Sequence, residues 1–475
     1  MRRVAMVAVA AAFLIGVALP AMAQQPTFTV TFSGEMRLIG YVWDNMTDFK
    51  DSAGAANKDG HARYFQRWRL FTTVQSADKK AKVVWAVEVG DLTWGTGNSP
   101  SGIEYGGPPG TTPSSAGRGA GAGLGADGVN VETKNLYLQF DIPFIPNANL
   151  LVGAANNVFL TSPTFAFVDD DAFMVQFNWK ADPVDLQVYT AKVDENAIQN
   201  ADDNDMYVAR LGVNLTKDIR FTVEGMVVDQ RCLRAPGSGT VAAGGCIGVD
   251  FGDNFWVGAT VGAKLGDMRL DGTVVYGQRQ LRCPTCAGGV AEESGFGLQA
   301  TARVPFGPVN TWFHGWYTTG DENQPLSAGT TAQAGASRVL TKDSDKLPLP
   351  ISGASWLSAP FVAEFITCNR TVGSPAVGQP LYCDPSGLWG VGASAIYALT
   401  PAISLAGGVA YVAATEETKI AGAKSAPFGD NAFEIDVGAL YTYNTNLSFQ
   451  LVAGYVIADK DDDAWGIIYR MRFAF

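Results

Sequence analysis

Hydrophobic and polar positions alternate with a period of two along most of this chain, and the pattern is plainest at its end. Trp465, Ile467, Tyr469, Met471, Phe473 and Phe475 fall on one face, while Gly466, Arg470, Arg472 and Ala474 fall on the other. A two-residue period is that of a β-strand, whose successive side chains point to opposite faces. The same alternation places Leu447, Phe449, Leu451, Ala453, Tyr455 and Ile457 against Ser448, Gln450 and Gly454, and Phe433, Ile435 and Val437 against Glu434 and Asp436. The apolar faces need a cover. The chain carries no amphipathic helices to provide one, and runs of this length suit strands that cross a bilayer, which need about 9 to 11 residues.

Extending this template predicts eighteen strands: 27–43, 63–76, 80–93, 130–141, 148–157, 172–180, 184–194, 205–215, 219–229, 254–265, 267–281, 293–304, 308–319, 386–399, 402–414, 431–443, 446–458 and 464–475. Sixteen is the alternative if the two weakest are not strands. Their connections alternate between tight and long. The tight ones include Asp182-Pro183, Thr216-Lys217-Asp218, Gly266-Asp267, Thr400-Pro401 and residues 444–446, all rich in turn formers. The long ones include 44–62, 94–129, 230–253, 320–385 and 415–430. The expected architecture is all-β: one closed antiparallel transmembrane β-barrel over residues 24–475, with short periplasmic turns, long extracellular loops and both termini on the short-turn side.

Composition agrees with strands and adds an export step. Arg2 and Arg3 precede an apolar run over residues 4–19, and Ala21-Met22-Ala23 offers a small-residue cleavage site, so residues 1–23 read as a signal peptide. No later apolar run is long enough for a membrane helix. The chain has 54 Gly, 11% aromatic and only 17% charged residues. Its formal charge of −12 becomes −14 without Arg2 and Arg3, which argues against nucleic acid as a partner.

The opening strand Phe28-Thr29-Val30-Thr31-Phe32-Ser33-Gly34 and the aromatic closing strand with terminal Phe475, taken with the signal peptide, resemble the Gram-negative trimeric general-diffusion porins over the whole mature chain. The resemblance implies a homotrimer in the bacterial outer membrane, in contact with its lipid and lipopolysaccharide, that passes small hydrophilic solutes and ions through a water-filled channel. It also implies that Tyr469, Phe473 and Phe475 are the signal read by the barrel-assembly machinery. In that family one loop folds into the barrel as a constriction. The loop that matches by order is 157–171, which ends Asp169-Asp170-Asp171, with the longer 320–385 segment as the alternative.

Charges on the inward phase of the strands are the candidate site. Arg63, Arg67 and Arg69 lie opposite in phase to Tyr64, Trp68 and Leu70, and an arginine facing lipid at the midplane costs roughly 2 to 4 kcal/mol. They are expected to line the pore or to pair there with Glu35, beside which Arg37 also faces inward. Lys82, Glu88, Arg210, Arg220, Glu224, Arg269, Asp271, Arg470 and Arg472 share the inward phase. Mixed signs across a narrow pore set up a transverse field, which suits general diffusion. A sugar channel would need an aromatic track in the lumen, whereas most Trp and Tyr here fall on the lipid phase. The competing readings are a channel selective for an anion or oligosaccharide, and a barrel enzyme.

Chemistry beyond the pore is sparse. Cys232 with Cys246, Cys283 with Cys286 and Cys368 with Cys383 sit as sequence-near pairs in long loops, where an exported protein forms local disulfides, although six cysteines allow 15 connectivities. Cys283-Pro284-Thr285-Cys286 has no second CxxC and no nearby histidine to complete a zinc site. His61 in a loop and His314 in a strand accompany no nucleophile motif, and the Gly-rich 119–128 lacks the Lys-Ser/Thr of a phosphate cradle. Asp459, Asp461, Asp462 and Asp463 read as a solvated turn. No catalytic set, cofactor or metal is expected.

Overall fold

A computed structural model describes residues 28–44, 61–94, 131–160, 168–194, 204–230, 250–251, 254–282, 290–319, 370–371, 374–375, 388–415, 431–459 and 463–475. The first nine strands are β1 (Phe28–Asp44), β2 (His61–Ser76), β3 (Ala81–Thr93), β4 (Glu132–Asp141), β5 (Ala148–Leu160), β6 (Val168–Ala181), β7 (Val184–Asp194), β8 (Asn204–Asn214) and β9 (Ile219–Gln230). After the two-residue β10 (Asp250–Phe251) come β11 (Asn254–Leu265), β12 (Met268–Arg282), β13 (Val290–Phe306) and β14 (Val309–Thr318). Two short pieces, β15 (Arg370–Thr371) and β16 (Ser374–Pro375), pair with each other apart from the main sheet. The chain ends with β17 (Leu388–Ala398), β18 (Ile403–Ala414), β19 (Asn431–Thr442), β20 (Leu447–Ala458) and β21 (Ala464–Ala474).

Each of the eighteen long strands pairs antiparallel with the long strands before and after it, and β21 returns to pair with β1 from Glu35↔Ala474 to Asp44↔Trp465. The sheet is therefore a closed barrel without a free edge along that seam, the arrangement that satisfies strand backbone groups where no water can. All eighteen predicted strands are present, with ends displaced by a few residues.

Alternating burial identifies the two faces. In β19, Ala432, Glu434 and Asp436 are buried while Phe433, Ile435 and Val437 are exposed. The concave face of a closed barrel crowds its side chains and the convex face spreads them, so the apolar set faces out. The outer wall then carries Phe173, Leu136, Trp85, Val257, Phe313 and Leu451 among its exposed side chains, and Gln176, Thr222, Glu224, Thr260, Gln299 and Arg470 point inward.

The tight connections close by the same device in three places. Thr216 Oγ1 accepts from the backbone N–H of Asp218 and Ile219, Thr400 Oγ1 from Ala402 and Ile403, and Asn444 Oδ1 from Asn446 and Leu447, all at 2.8 to 3.2 Å. A short side-chain acceptor folds over its own turn, which is why Thr and Asn stand there. Gly266 and Gly307 each begin a two-residue hairpin turn, at φ of +62° and +58°, which glycine adopts without penalty.

Two expectations are corrected. The connection after β5 is shorter than 157–171: β5 continues to Leu160 and β6 begins at Val168, with Val158↔Asp170, Phe159↔Asp169 and Leu160↔Val168 in register. A shift between Ala155 and Val158 absorbs the extra residues of β5 and lets the apolar Val158-Phe159-Leu160 run keep pairing. Asp169, Asp170 and Asp171 thus begin a strand, and their side chains lie outside the described residues. His61 likewise opens β2, opposite Trp43, instead of lying in a loop. All six cysteines, residues 119–128, Asp461 and Asp462 fall outside the described residues, as does most of 320–385.

Candidate pore-lining site

The inward faces of β21, β1, β2 and β3 gather the charges that the sequence singled out. Register places Arg472, Arg37 and Arg67 directly opposite one another on three adjacent strands, and Ala474, Glu35, Arg69 and Glu88 form the next row. Directly opposed residues share a face and stand about 4.5 to 5.5 Å apart, so like charges here repel unless an acid intervenes. Two acids do. Glu35 bridges Arg37 and Arg472, the latter donating from Nε at 2.7 Å. Glu88 accepts from Arg69 and lies 3.5 Å from Arg67 Nε. With buried Arg470 two residues from Arg472 on the same face, five guanidinium groups lie near the carboxylates of Glu35 and Glu88 among the described residues.

The pairing differs in detail from the sequence reading. Arg69 stands opposite Glu35 but takes Glu88 as its acid, and Glu35 is held from β1 and β21 instead. A β-bulge explains part of this: the β2–β3 register shifts between Gln66 and Trp68, which leaves Arg67 out of the β3 ladder and brings it within reach of the Glu88 that Arg69 already holds. Arg63 sits opposite Tyr41, with its side chain outside the described residues. Lys82 stands in a polar row between Gln75 and Gln139, away from the arginines.

Across the barrel the inner wall changes character. Leu151, Met174, Tyr189, Val208, Met226, Trp256 and Val275 form a buried cluster on β5 to β9, β11 and β12, and register sets Tyr189, Val208, Met226 and Trp256 side by side on the inward face. Trp312 is also inward and buried on β14. Tyr189, Trp256 and Trp312 are therefore exceptions to the expectation that most Trp and Tyr fall on the lipid side. Each shares its phase with polar residues, Tyr189 with Asp185 and Gln187, Trp256 with Thr260 and Lys264, and Trp312 with Asn310 and His314, so the alternation within its own strand already places it inward.

Below this band, toward the tight turns, the wall is polar. Gln139, Asn149, Gln176, Asn178 and Gln187 join in side-chain hydrogen bonds of 2.7 to 3.1 Å. Arg220 donates to Asp185 at 2.6 Å, and Arg210 Nε lies 4.0 Å from the fully buried Glu224. His314 Nε2 is 3.4 Å from Ser394 Oγ, a pairing with no nucleophile geometry around it. Among the described residues no group of three or more His, Cys, Asp or Glu side chains is placed to hold a metal ion.

The outer seam is completed by Tyr469, Phe473 and Phe475. The rings of Tyr64 and Tyr469 cover Gly40, and Phe475 covers Gly34 while its ring centroid lies 6.1 Å from that of Phe473.

No known family profile matches the chain, and no curated protein matches its sequence. Solved structures do match the fold. A BenF-like porin from Pseudomonas fluorescens Pf-5 superposes with a TM-score of 0.51 at 10% identity, covering 94% of this chain and 99% of that one. The outer membrane protein opdK from Pseudomonas aeruginosa gives a TM-score of 0.50 at 10% identity, covering 94% and 98%. The closed eighteen-stranded antiparallel barrel is thus the fold of outer-membrane porins.

Proposed function

We propose that the chain is an outer-membrane porin, forming a water-filled channel for passive diffusion of small hydrophilic solutes and ions. The observation that carries this is the division of the barrel's two faces: an apolar outer wall suited to lipid, and an inner wall with charged groups on opposing sides that would be costly anywhere but around water. A channel accounts for that division without a catalytic constellation. Purified protein added to a planar bilayer should give stepwise ohmic conductance in simple salts; intact insertion without conductance overturns the reading.

A second reading, selectivity for anions, rests on the Arg472–Arg37–Arg67 row, whose positive charge exceeds that of its two acids. It predicts a reversal potential of anionic sign in a salt gradient. An oligosaccharide channel is the second alternative, against which Tyr189 and Trp256 sit within a packed cluster instead of an open track. The charged, apolar and small-residue segments of residues 1–23 support their removal on export, and the resemblance to trimeric porins supports two further proposals: assembly as a homotrimer, and recognition of Tyr469, Phe473 and Phe475 by the assembly machinery. The spacing of the six loop cysteines supports local disulfides. On strand position alone, Arg63 and Asp170 are proposed to line the pore, Asp170 sharing the phase of buried Met174, whereas Asp169 and Asp171 share the phase of the exposed Phe173.

A further inference from the structure

A second cationic row stands halfway round the barrel from the first, at the tight-turn mouth. Lys264 on β11, Arg269 on β12 and Arg303 on β13 are directly opposite one another in register. Their face is the inner one, because Thr260, Thr273 and Gln299, each four residues along the same face of its strand, are buried inward. Three like charges side by side on adjacent strands repel, and such a row persists only where something compensates it. The protein compensates only part of it.

Asp271 takes Arg269 by two hydrogen bonds, at 2.8 and 3.1 Å. Arg303 donates to the neutral Asn310 at 3.2 Å and lies over the Trp312 ring at 5.6 Å, contacts that orient its guanidinium without neutralising it. Among the described residues no carboxylate stands within ion-pair distance of Lys264 or Arg303. Both line a cavity of about 600 Å³ in which six lining side chains are cationic and three acidic. Of the other two acids, Asp218 is 4.0 Å from Lys217, and Asp267 lies in the hairpin turn that joins β11 to β12. Two further cations are already engaged, Arg220 with Asp185 and Arg210 with Glu224.

We propose that this row is a binding station for a small, multiply charged oxyanion at the turn-side mouth of the barrel. Lys264 supplies up to three N–H donors and Arg303 a planar fork held open by Asn310 and Trp312, on either side of an Arg269 already committed to Asp271. An anion that bridges Lys264 and Arg303 needs charge at both ends, which a dianion has and a monocarboxylate lacks. The station's use in transport rests on the channel reading, but the binding does not.

The experiment uses the full-length protein, the double variant Lys264→Gln/Arg303→Gln, and the charge-preserving Lys264→Arg/Arg303→Lys. Calorimetry at low ionic strength measures inorganic phosphate, succinate and acetate binding to each. The proposal expects phosphate or succinate to bind the wild type at least tenfold more tightly than acetate. The double Gln variant should lose that affinity at least tenfold at unchanged heat-resistant gel mobility, and the charge-preserving variant should keep it. In a bilayer, phosphate added on the turn side should block current at tenfold lower concentration in wild type than in the Gln variant, with block from the loop side unchanged. Equal affinity of wild type and Gln variant, or acetate binding as tightly as the dianions, overturns the station. Loss of affinity in a protein that does not conduct upholds the station and overturns the channel instead.

Discussion

Gly34 and Phe475 exchange both of their backbone hydrogen bonds, Gly34 N–H to Phe475 O at 2.9 Å and Phe475 N–H to Gly34 O at 3.0 Å. This pair is the last rung of the seam that turns a meander into a barrel. Residues 28–33 of β1 run past it and pair only with β2. A Cβ on Gly34 would lie 2.2 Å from Arg69 O and 2.8 Å from the Phe475 ring, so no larger residue fits without moving the backbone of β2. Overpacking of this kind costs about 1 to 3 kcal/mol. Gly34→Ala should therefore lower the urea midpoint of the folded barrel and its resistance to heat in gels, and Phe475→Ala, which keeps the backbone bonds and loses the ring, should do so less. Equal stability of Gly34→Ala and the wild type would show that the seam does not depend on this notch.

The arginines of β2 set the second prediction. Replacing Arg63, Arg67 and Arg69 together with Glu changes the local charge from +3 to −3 beside an Arg37 and Arg472 that remain. Reversal potentials in a salt gradient should move strongly toward cations, most at low ionic strength, where screening is weakest. A well-folded variant with unchanged selectivity would place the constriction elsewhere in the barrel.

Glu88 offers a test of the wall's internal balance. It is buried and holds Arg69 while Arg67 lies at 3.5 Å, so Glu88→Gln removes an acid that those two share. A charge-assisted hydrogen bond of this type contributes roughly 1.5 to 3 kcal/mol, and that much stability should be lost. Anion preference should rise at the same time, since the wall gains one positive charge. Reduced stability with unchanged selectivity would assign Glu88 a purely structural part.

At the turn between β2 and β3, Asp78 accepts from Ser76 Oγ at 2.6 Å and from Lys80 N–H at 3.1 Å, which hold its carboxyl below an aspartate's ordinary range. A depressed folded value means that the turn's stabilisation is complete above the unfolded value and is lost as pH falls through the folded one. The Lys80 amide resonance should therefore titrate at lower pH than that of a model Ser-Ala-Asp-Lys-Lys peptide, and Asp78→Asn should abolish the titration. Identical midpoints in protein and peptide would show that the turn bonds are not formed in solution.

Much of this protein was determined locally by its sequence. Alternation with period two specifies strands, Gly266, Thr216, Thr400 and Asn444 specify where they turn, and the strands with one polar and one apolar phase, such as β19 to β21, also specify which face meets lipid. Even the inward phase of Glu35, Arg37, Arg67, Arg69 and Glu88 was legible, because an unpaired charge in hydrocarbon is too costly to place outward. What tertiary structure decided is who stands beside whom. Register across the closing seam is set between strands at opposite ends of the chain, and a bulge at Arg67 and the shift within β5 are set by how neighbouring strands pair; these chose Glu88 over Glu35 for Arg69 and drew Asp169, Asp170 and Asp171 into β6. The inward apolar band of Tyr189, Met226 and Trp256 and the row of Lys264, Arg269 and Arg303 arise in the same way, since each strand contributes one side chain or two and only the register between paired strands sets them side by side.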